Sequence, residues 1–277
     1  SAYAATFTPT ANSITNGVVS VASGVFTDLA GNLNVDGSDS NNAVTMTVNT
    51  VPVDKTPPTI AITSDLSSLG IGKTATITFT LSEASTTFTA SDVSVSGGTL
   101  TNFIGSGSAY AATFTPTTNS ITNGVISVAS GVFSDLAGNL NADGSDANNT
   151  ITLAVDTVIP TIALSSSKTS LIAGDTTHLT FTLSEASTSF AVSDVAVTGG
   201  TLSNFSGSGT TYTALFTPTA NSTATGTVSV ASGVFTDAAG NANADGSDTN
   251  NTITLAVDTV VPTIALSASK TSLITGD

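Results

Sequence analysis

HLTFTLSE, residues 178–185, places Leu179, Phe181 and Leu183 on one face of an extended chain and Thr180, Thr182 and Ser184 on the other. That alternation is the period-two signature of a strand with one buried face. NTITLAVD, residues 149–156, repeats it through Ile151, Leu153 and Val155. Counting onward from Thr161 yields seven such runs: TIALSSS, HLTFTLSE, SFAVSDVAV, TLSNFSG, TYTALFTP, GTVSVASGVF and NTITLAVD. Turn-forming segments separate them, among them TGG at 198–200, SGSG at 206–209 and TPTANS at 217–222. No stretch carries a helical period. Seven short strands in about a hundred residues predict an all-β chain of immunoglobulin-like sandwiches; an eight-stranded barrel fits less well.

The unit recurs. SAYAATFTPT at Ser1 returns at Ser108, and the related TTYTALFTPT starts at Thr210. Tyr3 and Tyr110 lie 107 positions apart and Tyr110 and Tyr212 lie 102, the extra five falling around Asn49 to Pro57. A repeat of this length is a domain with its own core, too long for a solenoid unit. The expected organisation is an extended tandem array: strands E to G of one repeat in 1–54, complete repeats in 55–156 and 157–258, and the opening strand A of a further one in 259–277. On this reading the chain is a window on a longer array.

Charged residues make up only 8% of the chain, so Thr, Ser, Asn and Gly must cover its surface. Nineteen acids against four lysines give a formal net charge of −15, which disfavours nucleic acid and anionic membranes and favours cations. Without cysteine, neither a disulfide nor a thiolate-metal site can hold the fold. No apolar run approaches the roughly 20 residues of a membrane span, so membrane insertion is not expected.

The acids are not scattered. In a sandwich of this topology the preceding linker, the B–C loop and the F–G loop share one pole. The linker VDTVIPT carries Asp156, LSEAS carries Glu185, and FTDAAGNANADGSD carries Asp237, Asp245 and Asp248. The preceding repeat has Asp54, Glu83, Asp135, Asp143 and Asp146 in the same places. Two carboxylates about 5 Å apart repel by roughly 3 kcal/mol at an effective dielectric near 20. There is no arginine, and Lys55 has no counterpart beside Asp156. Calcium, which takes six to eight oxygen ligands, is therefore the expected occupant of junctions formed by Asp54, Glu83 and Asp135 and by Asp156, Glu185 and Asp237. The alternative is a set of solvated acids at strand ends. Asp92 and Asp194, in SDV, either close the cluster or end a strand.

A second, local pattern is Asn139-x-Asn141-x-Asp143-Gly144, with oxygen side chains at loop positions 1, 3 and 5 and glycine at 6, as in calcium loops of the EF-hand kind. Asn32, Asn34, Asp36 and Gly37 copy it, as do Asn241, Asn243, Asp245 and Gly246. Position 12, where a bidentate Glu is expected, is Thr150. The competing account is a polar hairpin loop, since Asn and Asp-Gly form turns for conformational reasons alone.

The ordered run of LSEAS, SDV, GGTL, TFTPT and FTDxAGN resembles the bacterial Ig-like repeats of giant surface adhesins, including RTX-type adhesins exported by type I secretion. The resemblance spans essentially the whole chain. It implies an extracellular extender that holds a ligand-binding tip away from the cell, stiffened by calcium at domain junctions. That role would fall to Asp54, Glu83 and Asp135 at one junction and to Asp156, Glu185 and Asp237 at the next. The implied partners are calcium ions and neighbouring repeats, with other copies of the chain left open.

Enzymatic readings have little support. The only histidine, His178, sits within strand B, and its counterpart one repeat earlier is Thr76, so a structural or solvent-facing role is expected. With no Trp and three Tyr, no sugar-stacking platform is evident. The non-enzymatic competitors are a multivalent binding module for glycan, ice or a surface protein, and a self-assembling surface-layer or sheath component.

Overall fold

A computed structural model describes residues 2–35, 40–143, 146–245, 248–269, 271, 272 and 275. Residues 2–54 contribute β1 (Gly17–Ser20) and β2 (Ala43–Met46), an isolated antiparallel pair. The first complete sandwich holds β3 (Ile60–Ser64), β4 (Ser68–Leu69), β5 (Ala75–Ser85), β6 (Val93–Ser96), β7 (Gly98–Pro116), β8 (Gly124–Val128) and β9 (Thr150–Val155). The second repeats it with β10 (Ile162–Ser166), β11 (Ser170–Ile172), β12 (Thr177–Ser187), β13 (Val195–Thr198), β14 (Gly200–Pro218), β15 (Gly226–Val230) and β16 (Thr252–Asp258).

In each repeat one sheet has the order β3-β5-β7 or β10-β12-β14, and the facing sheet β4-β9-β8-β6 or β11-β16-β15-β13. The chain is thus all-β and built of tandem seven-strand sandwiches. The seven are partitioned differently from the sequence expectation. The expected D and E strands form one 19-residue element, β7 or β14. The chain folds back on itself along β7: just beyond its two ends Thr117 N–H donates to Gly97 O at 3.0 Å, and within it the Phe103 and Tyr110 rings stack at 5.7 Å. The turn is centred on Gly107, at φ +65°, while Gly105, at φ +135°, lies across from Ala109, where a Cβ would stand 2.4 Å from Ala109 O. The seventh strand is one the sequence reading missed: β4 or β11, which leaves the first sheet and runs parallel to β9 or β16.

The alternation of HLTFTLSE is realised directly: Leu179, Phe181 and Leu183 are buried while His178 and Thr182 face solvent. Each such side chain contributes roughly 1.5–3 kcal/mol through burial. Phe190 centres the second core, with ring centroids 5.1 Å from Tyr212 and 5.2 Å from Phe235. Tyr212 also anchors strand B, its hydroxyl donating to Ser187 O at 2.8 Å. Tyr3, the counterpart of the buried Tyr110, is 94% exposed, and strand E expected over Tyr3 to Pro9 is not formed. Nothing corresponding to β5 pairs with it. Strand A expected after residue 258 is likewise absent among the described residues, again without a pairing partner.

Candidate metal site at the repeat junction

Strand parity delivers the glutamates. Along β12 the inward positions are Leu179, Phe181 and Leu183, and Glu185 is next in phase, so it emerges at the end of the core. Register slips between Thr182 and Ser187, a bulge that turns this stretch toward the pole. Ser187 then bridges to Asp237, fixing the B–C and F–G segments side by side; Ser85 and Asp135 do the same one repeat earlier. Asp156 arrives from the end of β9, its N–H donating to Leu69 O at 3.0 Å.

Asp156, Glu185 and Asp237 thereby each offer a carboxylate oxygen within 4.8 Å of the others, and Asp54, Glu83 and Asp135 form the same group at the preceding junction. Both aspartates of the F–G segment are only 5% exposed. Asp237 is held by Asn241, whose backbone N–H and Nδ2 donate to its two oxygens at 2.9 and 2.8 Å. Glu185 Oε2 is buried without a hydrogen-bond partner. Burial, and then the charges of Asp156 and Asp237, push the Glu185 carboxyl up from its ordinary value. Glu83 is raised in the same way by burial, then by Asp54 and Asp135. Burial would also raise Asp135, but hydrogen bonds from the side chain and backbone of Asn139 and from Gly138 and Ala137 outweigh it and hold its carboxyl low. Among the described residues the one ion pair is Lys168 with Asp175, which involves neither triad.

The asparagines of the local loop are spent on the backbone. Asn243 Oδ1 accepts from Val234 and Phe235 N–H, while its Nδ2 donates to Ala231 O. Asn141 and Asn34 make the same three bonds in their repeats. Asn139 and Asn32 cap Asp135 and Asp28 as Asn241 caps Asp237. Asp143 and Asp245 each accept from the first N–H of strand A, Ile60 at 2.7 Å and Ile162 at 2.8 Å. These side chains therefore serve separate backbone groups and do not share a centre. Asp36, Gly37, Gly144 and Gly246 lie outside the described residues. Asp146 and Asp248 bond to Asn148 and Asn250. Asp92 and Asp194 also stay out of the triads, accepting from Thr89 and Ala191 N–H to close a single 3-10 turn before β6 and β13.

The repeats also touch directly. Asn241 Oδ1 accepts from Ile71 N–H at 2.6 Å, and its Nδ2 additionally donates to Asp156 O at 2.9 Å. The sequence reading missed this role; its one visible signal is Gly70, which stands where the next repeat has Ile172.

The sequence profile of the bacterial Ig-like domain matches residues 1–45, 54–152 and 156–254. The chain belongs to that family, a class of tandem, non-catalytic domains. No curated protein sequence matches it. Among solved structures it is similar to the Escherichia coli adhesin FdeC, at 16% identity and TM-score 0.42, over 82% of this chain and 72% of that one. It is similar also to invasin, a bacterial integrin-binding protein, at 10% identity and TM-score 0.42 over 88% and 60%. The Yersinia pseudotuberculosis protein InvD follows at 17% identity and TM-score 0.32, over 78% and 61%. The chain spans less than two thirds of the last two.

Proposed function

We propose that the chain is an extender segment of a bacterial surface adhesin of the large RTX type, located outside the cell, whose repeat junctions bind calcium and are stiffened by it. The observation that carries this reading is the convergence of Asp156, Glu185 and Asp237, drawn from the linker and from two loops of the second repeat. They have no cationic partner among the described residues, and one glutamate oxygen is buried and unpaired. Three carboxylates supply three to six oxygens, and backbone carbonyls and water complete the six to eight that calcium takes. Binding would offset the mutual repulsion and join Asp156 to the repeat that follows it, removing freedom from the VDTVIPT linker. Pro160 restricts that linker further by fixing its own φ and confining Ile159.

The test is small-angle X-ray scattering of the full chain in millimolar calcium and after chelation. Shortening or loss of rigidity on chelation, reproduced in calcium by Asp156→Ala with Glu185→Ala, supports the reading. A double variant that keeps its full extension in calcium rejects it.

A further inference from the structure

We infer that Asn241 is a latch that fixes the angle between successive repeats, and that Gly70 is the residue in the preceding repeat that admits it. The inference needs no cation and so goes beyond the calcium reading. Beads joined by a linker are free to move relative to one another unless an interface holds them. Here the interface has a polar centre: the 3%-exposed Asn241 side chain accepts from Ile71 N–H of the first repeat and donates to Asp156 O of the linker and to Asp237 of its own loop. One amide thus spans three segments, and each bond constrains a different direction.

Gly70 shows why this approach is possible. Its φ is not in the left-handed region, so no backbone demand selects glycine there. What selects it is proximity: a Cβ at Gly70 would stand 2.8 Å from Asn241 Oδ1 and 3.1 Å from Ala239 O. The first contact could be relieved by moving a side chain, but the second is to backbone, so the F–G loop itself would have to give by a few tenths of an ångström for a Cβ and by more for a longer side chain. Ala238 and Ala239 line the inter-repeat cavity together with Leu66, Leu69 and Gly70. At the matching position of the second repeat stands Ile172, 62% exposed at the end of β11. The two poles therefore differ in what they accept: the Gly70 pole receives an Asn241-type loop, and the Ile172 pole excludes that docking.

At the first junction no described segment matches Gly70–Ile71, and Asn139, at the position of Asn241, shows the cap by itself: it binds Asp135 in the same way, is half-buried, and donates to Asp54 O at 3.3 Å. The asparagine is thus a loop cap in its own repeat and becomes a latch where a Gly70–Ile71 segment meets it.

The chain lacks cysteine, so Thr99→Cys and Thr201→Cys, at equivalent exposed positions of the two repeats, allow specific spin labelling. Pulsed electron spin resonance on the doubly labelled full chain in chelator is expected to give one preferred inter-repeat distance, broader than in calcium because the carboxylate contribution to stiffness is gone, but still set by the Asn241 latch. Gly70→Ile, which copies Ile172 and leaves every carboxylate in place, is expected to lose it, and Gly70→Ala to broaden it less. Asn241→Ala is expected to behave as Gly70→Ile does; should it fail to fold, Gly70→Ile on the surface of the first repeat carries the test. A Gly70→Ile chain that keeps, in chelator, the same distance distribution as the unsubstituted chain overturns the inference. Adding calcium to the unsubstituted chain tests only the calcium reading, because the latch is judged in chelator.

Discussion

The two junctions carry the same three carboxylates and the same asparagine, but among the described residues only the second is flanked by two complete repeats. Asp54 is exposed where Asp156 is half-buried, and Asn139 is half-buried where Asn241 is enclosed. Leu136 stands 72% exposed at the position of Ala238. The acidic triad is therefore assembled by one repeat and its linker alone, since bulge, bridge and asparagine cap are all local to that repeat. Enclosure of the triad's surroundings requires the neighbour. Assembly of the triad and its enclosure by a neighbour are in this sense separable properties of one loop.

The largest expected effect comes from removing the neighbour. Phe79→Ala, in the middle of the first core, is expected to cost about 3–5 kcal/mol and to unfold that repeat well below the second. Exchange of the Asn241 side-chain Nδ2 hydrogens should then rise while the interior of β12 stays protected, turning the second junction into a copy of the first. Exchange at Asn241 that stays slow after the first repeat has melted would contradict the division drawn between the junctions.

Next in size are changes to the triad itself. Glu185→Gln removes one of three mutually repelling charges, so in chelator the melting temperature of the second repeat is expected to rise, while the stabilisation by calcium is lost. A variant that still gains as much from calcium as the unsubstituted chain would exclude Glu185 from the site. The pH dependence follows from the same repulsion. Glu83 and Glu185 have folded-state pKa values above the ordinary 4.5, so the folded state binds their protons more tightly. Their contribution is fully present below that value and is lost as pH rises through the raised folded value. In chelator, acidification toward that window should raise the melting temperature; in calcium, protonation competes with the ion and the gain should vanish or reverse.

The smallest effect separates the repeats rather than the junctions. Lys168 and Asp175 pair at 2.8 Å in the second repeat, where the first has Leu66 and Lys73. Exposed pairs are worth about 0–1 kcal/mol, and Lys168 is half exposed, so Lys168→Ala should lower denaturant stability by no more than that and only at low salt. A larger loss would mean that the lysine stem packs as well.

Much of this was legible in the sequence because the alternation in HLTFTLSE and NTITLAVD depends only on strand parity. The grouping of Asp156, Glu185 and Asp237 was legible because sandwich topology sends those segments to one pole. What escaped depended on neighbours along no simple period. The β4 and β11 strands are two and three residues long, too short for alternation to register, and are defined by parallel pairing to β9 and β16. The Asn-x-Asn-x-Asp pattern looks like a ligand set in one dimension. In space, alternate residues of an extended loop face different partners, so Asn241, Asn243 and Asp245 are drawn to three separate backbone sites. The contact of Asn241 with Ile71 spans 170 positions, and only the glycine that makes room for it leaves a trace in the sequence.

The central claim, that the junction triad is a calcium site, is tested most directly by a crystal structure of the chain grown in millimolar calcium with anomalous data. The account predicts an anomalous peak between the carboxylates of Asp156, Glu185 and Asp237, with Glu185 Oε2 among its ligands. Density showing those three carboxylates separated by water alone, with no ion at calcium distances, would contradict it.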